Sequence, residues 1–139
     1  MKKWRKMSIF RVRADEIDES KLFWKTNISI DLSGADSYAV WINRRIRCYF
    51  LVSVHDVYAN VSLMFNRLLF NASLTHAICA YIFGQWPSCS KIAIYLLEND
   101  RYGCYLVKAA GFSQEVVFRE HYRIDGQKLS CIVFSKVKG

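Results

Sequence analysis

Residues 91–100, KIAIYLLEND, carry the pattern that decides the fold. Their first seven positions, 91–97, are almost wholly apolar and are followed at once by polar side chains. A short run of this kind is typical of a strand that is covered on both faces. The residues after it change to a helical period, with these positions on one face: Gly103, Leu106, Val107 and Ala110. Gly111 lies where a left-handed C-cap is favoured, so the sequence predicts a strand and then a short helix.

Beyond this helix the pattern predicts a β-hairpin. Two segments, Val116 to Tyr122 and Leu129 to Phe134, are rich in β-branched and aromatic side chains. Asp125-Gly126 lies between them, and this dipeptide favours tight hairpin turns.

Before residue 91, a second helix is predicted from Leu74 to Gly84. Its apolar side chains recur at helical spacing, with Ser73 as a possible N-cap and Gly84 as the stop. Val61 to Phe65 precedes it as a strand. The two strands that flank this helix, 61–65 and 91–97, are expected to be parallel and neighbouring.

Further towards the N-terminus, Ser37 to Ile42 and Ile46 to Val54 suit a hairpin that turns through residues 43–45. The first 36 residues are the least legible part: Ile9 to Arg13 could be a strand, and the polar stretch Asp15 to Lys21 could start a short helix. The order of elements predicts an α/β fold with one parallel crossover and antiparallel flanks.

Composition favours one domain over residues 1–139, with 53% hydrophobic residues to form a core. The net charge of +8 would attract anions, but the basic residues show no interleaving with aromatic residues, so nucleic acid is the weakest partner class. Five cysteines without a C-x-x-C pair, together with three histidines lacking ligand spacing, favour reduced thiols, a cytoplasmic location and no metal site. No apolar run reaches the roughly 18 residues of a membrane span.

Taken together, Lys91 to Asp100, the following helix and Lys108-Ala-Ala-Gly-Phe112 are similar to the GNAT superfamily of N-acetyltransferases. The segment Phe118-Arg-Glu-His-Tyr-Arg-Ile-Asp-Gly-Gln127 resembles the R-E-H-Y-x-x-N/D-G hairpin of the ribosomal-protein and amino-sugar N-acetyltransferase branch. The resemblance covers about the last hundred residues. It implies a single GNAT-like domain with a shortened N-terminal region, 1–36. Its sheet would be mixed and mainly antiparallel, with a parallel central strand pair and flanking helices.

The resemblance also implies a site for acetyl-coenzyme A as cosubstrate. Its residues here would be Phe65, Asn66, Arg67, Leu68, Phe70, Asn71, Ala72, Ser73 and Asp100. The family carries R/Q-x-x-G-x-G/A at this loop, because glycines let backbone N–H groups approach the pyrophosphate at a helix N-terminus. Arg67 and Ala72 fit the motif, whereas Leu68 and Phe70 are bulky. We therefore expect weak coenzyme A binding.

The chemistry implied by the resemblance is direct attack of an amine on a thioester held where two parallel strands splay, with a base and a proton donor. Glu98, at the end of the predicted strand, is the first candidate base and His121 the second, since an unperturbed histidine titrates near neutrality. The tyrosine that usually protonates the coenzyme thiolate aligns with Val107, which leaves Tyr105 as the candidate acid. Glu98 could instead be a solvated strand end, and His121 a paired strand residue.

Several functional interpretations remain open at this point. The acceptor implied by the resemblance is a primary amine on an amino-sugar nucleotide, a protein N-terminus or a small molecule. Cys104 offers a competing route, because a thiol near a helix N-terminus can have a lowered pKa and accept the acyl group. The alternative is a degenerate GNAT domain that has lost catalysis and acts as a binding module. Exposed sheet edges could also pair two subunits into a homodimer.

Overall fold

The computed structural model describes residues 7–26, 34–68 and 70–139. In chain order the elements are β1 (Ser8–Val12), β2 (Trp24–Lys25), β3 (Asp36–Ile42), β4 (Arg45–His55), β5 (Tyr58–Phe65), α1 (Asn71–Gln85), β6 (Lys91–Leu97), α2 (Arg101–Ala109), β7 (Ser113–Ile124) and β8 (Gln127–Val137).

The strands form a single sheet in the order β1-β3-β4-β5-β6-β8-β7, with β2 joined to β5. β5 and β6 run parallel and the other pairs are antiparallel. The predicted α/β fold, with its parallel central pair among antiparallel strands and its two helices, is confirmed. The alternation of short apolar runs with helical periods identified this arrangement, since a parallel pair needs a crossover between its strands.

One large apolar core packs both helices against the sheet. Its fully buried side chains include Phe50 and Phe65 from the sheet, Ile78 from α1 and Val107 from α2. A smaller cluster, formed by Leu97, Leu129 and Cys131, lies at the end of β6 and the start of β8. The packing of α1 and α2 on the central strands fixes the position of both helix N-termini relative to the ends of β5 and β6.

The predicted turns are confirmed. Asn43 and Arg44 join β3 to β4 with φ values of 53° and 67°, and Asp125 and Gly126 join β7 to β8 with φ values of 51° and 79°. Two consecutive positive φ angles match the right-handed twist of the flanking strands. Gly111 follows α2 with a φ of 96°, a conformation that glycine adopts without steric cost.

Two predicted helix boundaries are wrong. The segment Asp15 to Lys21 is not one short helix but two three-residue 3-10 turns, Ala14–Glu16 and Glu19–Lys21. Local side-chain bonds compete with a continuous helix there, because Asp18 accepts from the backbone N–H of Ser20. α1 begins at Asn71, three residues before the predicted start, and continues through Gly84 to Gln85, so Ser73 is not its N-cap.

Candidate active site

The two parallel strands at the centre of the sheet separate part-way along their length. β5 and β6 pair only from Tyr58 opposite Lys91 to Asn60 opposite Ala93. Beyond that point β5 stays with β4 as far as Phe65, and β6 stays with β8 as far as Leu97. A cleft therefore opens between the carboxyl ends of two neighbouring strands, which is the place where open α/β sheets bind ligands.

The strand β2 lies in this cleft. The Phe23 N–H donates to the Phe65 carbonyl at 2.7 Å, and the Thr26 N–H donates to the Leu63 carbonyl at 3.0 Å. β4 occupies one edge of β5 over its whole length, so β2 takes the edge that faces β6. The chain thus supplies its own strand to the edge that the separation leaves open.

Trp24 fills the space between β5 and α2. Its ring stacks on Phe65 at a centroid distance of 6.0 Å and an interplanar angle of 22°, and meets Tyr102 edge-on at 5.7 Å. Its indole N–H donates to Asp100 Oδ2 at 3.0 Å. The indole therefore has both an aromatic surface and an anionic acceptor in this position.

Asp100, a predicted coenzyme contact, is engaged by two partners within the chain. Besides binding Trp24, its carboxylate accepts the backbone N–H of Gly103 at 2.9 Å and so caps α2. Gly103 lies directly against this pair, because a Cβ built on it would lie 2.6 Å from Asp100 Oδ2 and 2.8 Å from Trp24 Cζ2. Only glycine leaves room for the indole at this position.

The N-terminus of α1 adjoins the open end of the cleft. Phe70 occupies the N-cap with φ 64° and ψ 19°, a left-handed conformation that is unusual for a bulky residue, and its side chain makes no capping bond. Asn71 is 4% exposed, and its amide donates to the Arg67 carbonyl and to the Tyr102 hydroxyl, both at 2.7 Å. Phe70 thus adopts a backbone conformation that glycine would adopt more easily.

A cavity of about 240 Å³ lies at this helix end. It is lined by Leu68, Phe70, Asn71, Ala72, Ser73, Tyr102, Tyr105 and Leu106. Five of the predicted coenzyme-site residues, from Leu68 to Ser73, therefore come together around one space. Three others lie elsewhere: Phe65 is buried beneath Trp24, Asn66 donates its amide to the Ile46 carbonyl at 3.1 Å, and Arg67 is exposed.

Comparisons with solved structures match this arrangement of strands and helices. The chain superposes on the ribosomal-protein-S18-alanine N-acetyltransferase from Escherichia coli with a TM-score of 0.67 and 10% identity, over 96% of this chain and 95% of the other. It superposes on the spermidine N-acetyltransferase from Vibrio cholerae in complex with CoA and spermine with a TM-score of 0.65 and 13% identity, over 75% and 66% of the two chains. This chain has the GNAT fold.

A third match is the ribosomal-protein-S5-alanine acetyltransferase from Vibrio fischeri, with a TM-score of 0.61, 14% identity, and coverage of 75% of this chain and 62% of the other. The chain therefore spans less than two thirds of the length of both Vibrio proteins. No family model matches the sequence, and no curated protein is significantly similar to it.

Within the GNAT fold, the candidate bases lie on the far side of β6 from β5. The Glu98 Oε1 atom accepts the Ser130 N–H at 2.8 Å, and the Glu98 N–H donates to the Ser130 carbonyl at 3.0 Å. Ser130 belongs to β8 and its hydroxyl accepts the Glu120 N–H at 3.1 Å from β7. His121 follows Glu120 in the irregular part of β7, where it is exposed. Hydrogen bonds thus connect Glu98, after the end of β6, through β8 to the residue of β7 that precedes His121.

The candidate acid Tyr105 lies apart from this row. Its side chain is 70% exposed and lines the cavity at the start of α1. Val107, which aligns with the usual GNAT tyrosine, is fully buried in the core. In the described part of the chain, no hydrogen bond joins Tyr105 to Glu98 or His121.

Cys104 does not have the lowered pKa that a nucleophilic route would need. Burial raises the pKa of its thiol, and the nearby negative charge of Asp100 raises it further. Both effects favour the protonated thiol over the thiolate near neutral pH. This observation disfavours the competing route through Cys104.

Among residues 7–26, 34–68 and 70–139, no three His, Cys, Asp or Glu side chains lie close enough together to hold a metal ion. None of the helices in the described segments is long and apolar enough to cross a membrane.

Proposed function

We propose that this chain is an acyl-coenzyme A dependent N-acyltransferase that transfers an acetyl group to a primary amine. The observation that carries the proposal is the separation of β5 from β6 beyond Asn60 and Ala93, next to the N-terminus of α1. A thioester entering the cleft would reach a strand edge, and its phosphates would face the helix N-terminus, where backbone N–H groups favour anions. The solved acetyltransferases that share the fold support this interpretation.

The phosphate end of the coenzyme would use the start of α1. The backbone N–H groups of Ala72 and Ser73 belong to the first turn, which has no side-chain cap, and both residues line the cavity there. Arg67 is exposed in the preceding loop and adds a positive charge. Phe70 lies in the same space, so we expect weak affinity for the coenzyme.

The proposed reaction is direct transfer. The neutral amine attacks the thioester carbon, a C–N bond forms, and the C–S bond breaks to release the coenzyme thiolate. Glu98 takes the amine proton, directly or through water, with His121 as the second candidate base. Tyr105 donates a proton to the thiolate from its exposed position beside the cavity.

The proposal is tested by measuring thiol release from acetyl-coenzyme A in the presence of different amines. Three acceptor classes are compared: a peptide with a free N-terminus, a polyamine and an amino-sugar nucleotide. We expect amine-dependent release with at least one class, accompanied by a mass increase of one acetyl group on that acceptor. Release that does not depend on the amine, or no release with any acceptor, would contradict the proposal.

A second candidate function is a binding module that uses the GNAT fold without catalysis. Two observations favour it: Phe70 in a left-handed conformation where the motif has glycine, and Val107 buried where the usual acid would be. Calorimetric titration with coenzyme A separates the two candidates, since the module predicts no binding at any concentration and the enzyme predicts weak, saturable binding.

A further inference from the structure

We propose that residues 22–26 are an internal inhibitor of the coenzyme cleft, and that they must leave the edge of β5 before an acyl-coenzyme A can enter. This inference rests on the proposed function. We refer to residues 22–26 as the plug.

The plug occupies the hydrogen-bonding groups that an entering ligand would need. The Leu63 and Phe65 carbonyls face the cleft, and both already accept backbone N–H groups from the plug. The pantetheine arm of coenzyme A is an extended chain with two amide groups, so it would bind a free strand edge as an added strand does. The plug and this arm therefore compete for the same edge of β5.

The side chain of Trp24 closes the cleft as well as the strand edge. It stacks on Phe65, contacts Tyr102 and donates to Asp100, which joins β5 to α2 across the opening. The absence of a side chain at Gly103 makes room for the indole. Residues of β5 and α2, together with the N-cap Asp100, thus form a specific pocket for this one side chain.

The plug has fewer paired backbone positions than the other strands of the sheet. β2 contains two residues, whereas β4 and β5 pair over eight, from Tyr58 to Phe65. The Phe23 side chain is 51% exposed, and Lys25 is also exposed, pairing with Glu19 on the surface. Thr26 is buried and Trp24 is half-buried, so these two side chains hold the plug more than its backbone does. Segments with few backbone bonds belong to the less stable parts of a fold, and we infer that the plug opens without global unfolding.

The inference is tested by calorimetric titration of coenzyme A into the wild-type protein and two variants. Trp24→Ala removes the indole from its pocket. Lys25→Ala is the matched control, because it changes an exposed side chain of the same strand. When only a fraction of the molecules is open, the apparent dissociation constant equals the intrinsic one divided by that fraction. We expect Trp24→Ala to bind at least about tenfold more tightly than wild type, and Lys25→Ala to bind as wild type does.

Amide hydrogen exchange on the same proteins reports the position of the plug. The N–H groups of Phe23 and Thr26 should be protected in free wild type, and should lose protection in Trp24→Ala and in wild type saturated with coenzyme A. Gly103→Ala gives a second way to expel the indole, should Trp24→Ala fail to fold, because the added methyl group would occupy its space.

Failure of the inference and failure of the proposed function give different results. Equal affinities for wild type and Trp24→Ala, with Phe23 and Thr26 still protected in the complex, would overturn the inference and leave the proposed function standing. No binding to a variant whose two amides exchange freely would refute the proposed function, and the inference with it.

Discussion

Replacing Gly103 with alanine tests whether Trp24 packs between β5 and α2 in solution. A glycine in a helix is normally less favourable than alanine by about 1 kcal/mol, so Gly→Ala usually stabilises. At Gly103 the new methyl group would lie 2.6 Å from Asp100 Oδ2 and 2.8 Å from Trp24 Cζ2. Overpacking of this kind costs about 1–3 kcal/mol. We therefore expect Gly103→Ala to lower the free energy of unfolding by up to about 2 kcal/mol, the overpacking cost less the gain in helix propensity.

The matched control is Gly84→Ala in α1. A Cβ built on Gly84 has no neighbour within 4 Å, so the same substitution should raise the free energy of unfolding by up to about 1 kcal/mol. Urea denaturation measures both variants against wild type, with the transition midpoint as the readout. The two variants should shift the midpoint in opposite directions. A rise in stability for Gly103→Ala comparable to that for Gly84→Ala would refute the packing of Trp24 between β5 and α2.

Three further predictions concern the chemistry. Replacing Leu68 and Phe70 together with glycine should strengthen coenzyme A binding in calorimetry, because the backbone N–H groups at the start of α1 become accessible and the left-handed residue is no longer strained; weaker binding would show that added disorder outweighs access. Glu98→Gln should lower the rate of acetyl transfer about a hundredfold, while Cys104→Ala changes it little, and a stable acetyl group on Cys104 in mass spectrometry would reverse this ranking. Since burial and Asp100 raise the pKa of Cys104 above the ordinary value of 9.0, its alkylation by iodoacetamide should be slow at pH 7 and accelerate only above about pH 9; rapid alkylation at pH 7 would contradict the raised pKa.

The parts of the fold that could be predicted from sequence are those in which local signals agree with the tertiary arrangement. The predicted and observed ends of the strand Lys91–Leu97 agree, because its apolar run is bounded by polar residues and it is covered on both faces. The turn at Asp125 and Gly126 and the glycine after α2 were also predicted, since their backbone conformations restrict the residue types that fit.

The parts that could not be predicted depend on contacts between distant residues. The bond between Trp24 and Asp100 spans 76 positions, and a two-residue strand has no period from which it could be recognised. The sequence alone misplaces the start of α1, because Ser73 is a good N-cap residue by type, whereas the helix begins after Phe70, which has no such preference. Asp100 was assigned to the coenzyme site from the resemblance, but its helix cap and its bond to Trp24 could be seen only in the structure.

Part of the predicted coenzyme site consists of residues that are close together in the sequence. A loop and the helix turn that follows it stay together in space, so Leu68 and residues 70–73 line one cavity, as their sequence proximity suggests. The catalytic candidates come from three different elements, and their separation depends on the sheet. Glu98 directly follows β6, His121 belongs to β7 and Tyr105 belongs to α2.

The most direct test of the proposed coenzyme site is a titration of isotopically labelled protein with coenzyme A, followed by amide NMR. If the cleft between β5 and β6 binds the coenzyme, the amides that shift should be those of the plug, the end of β5 and the start of α1, including Phe23, Thr26, Phe65 and Ser73. Shifts confined to other surfaces, or no shifts at millimolar coenzyme A with both wild type and Trp24→Ala, would contradict the assignment of this cleft as a coenzyme site.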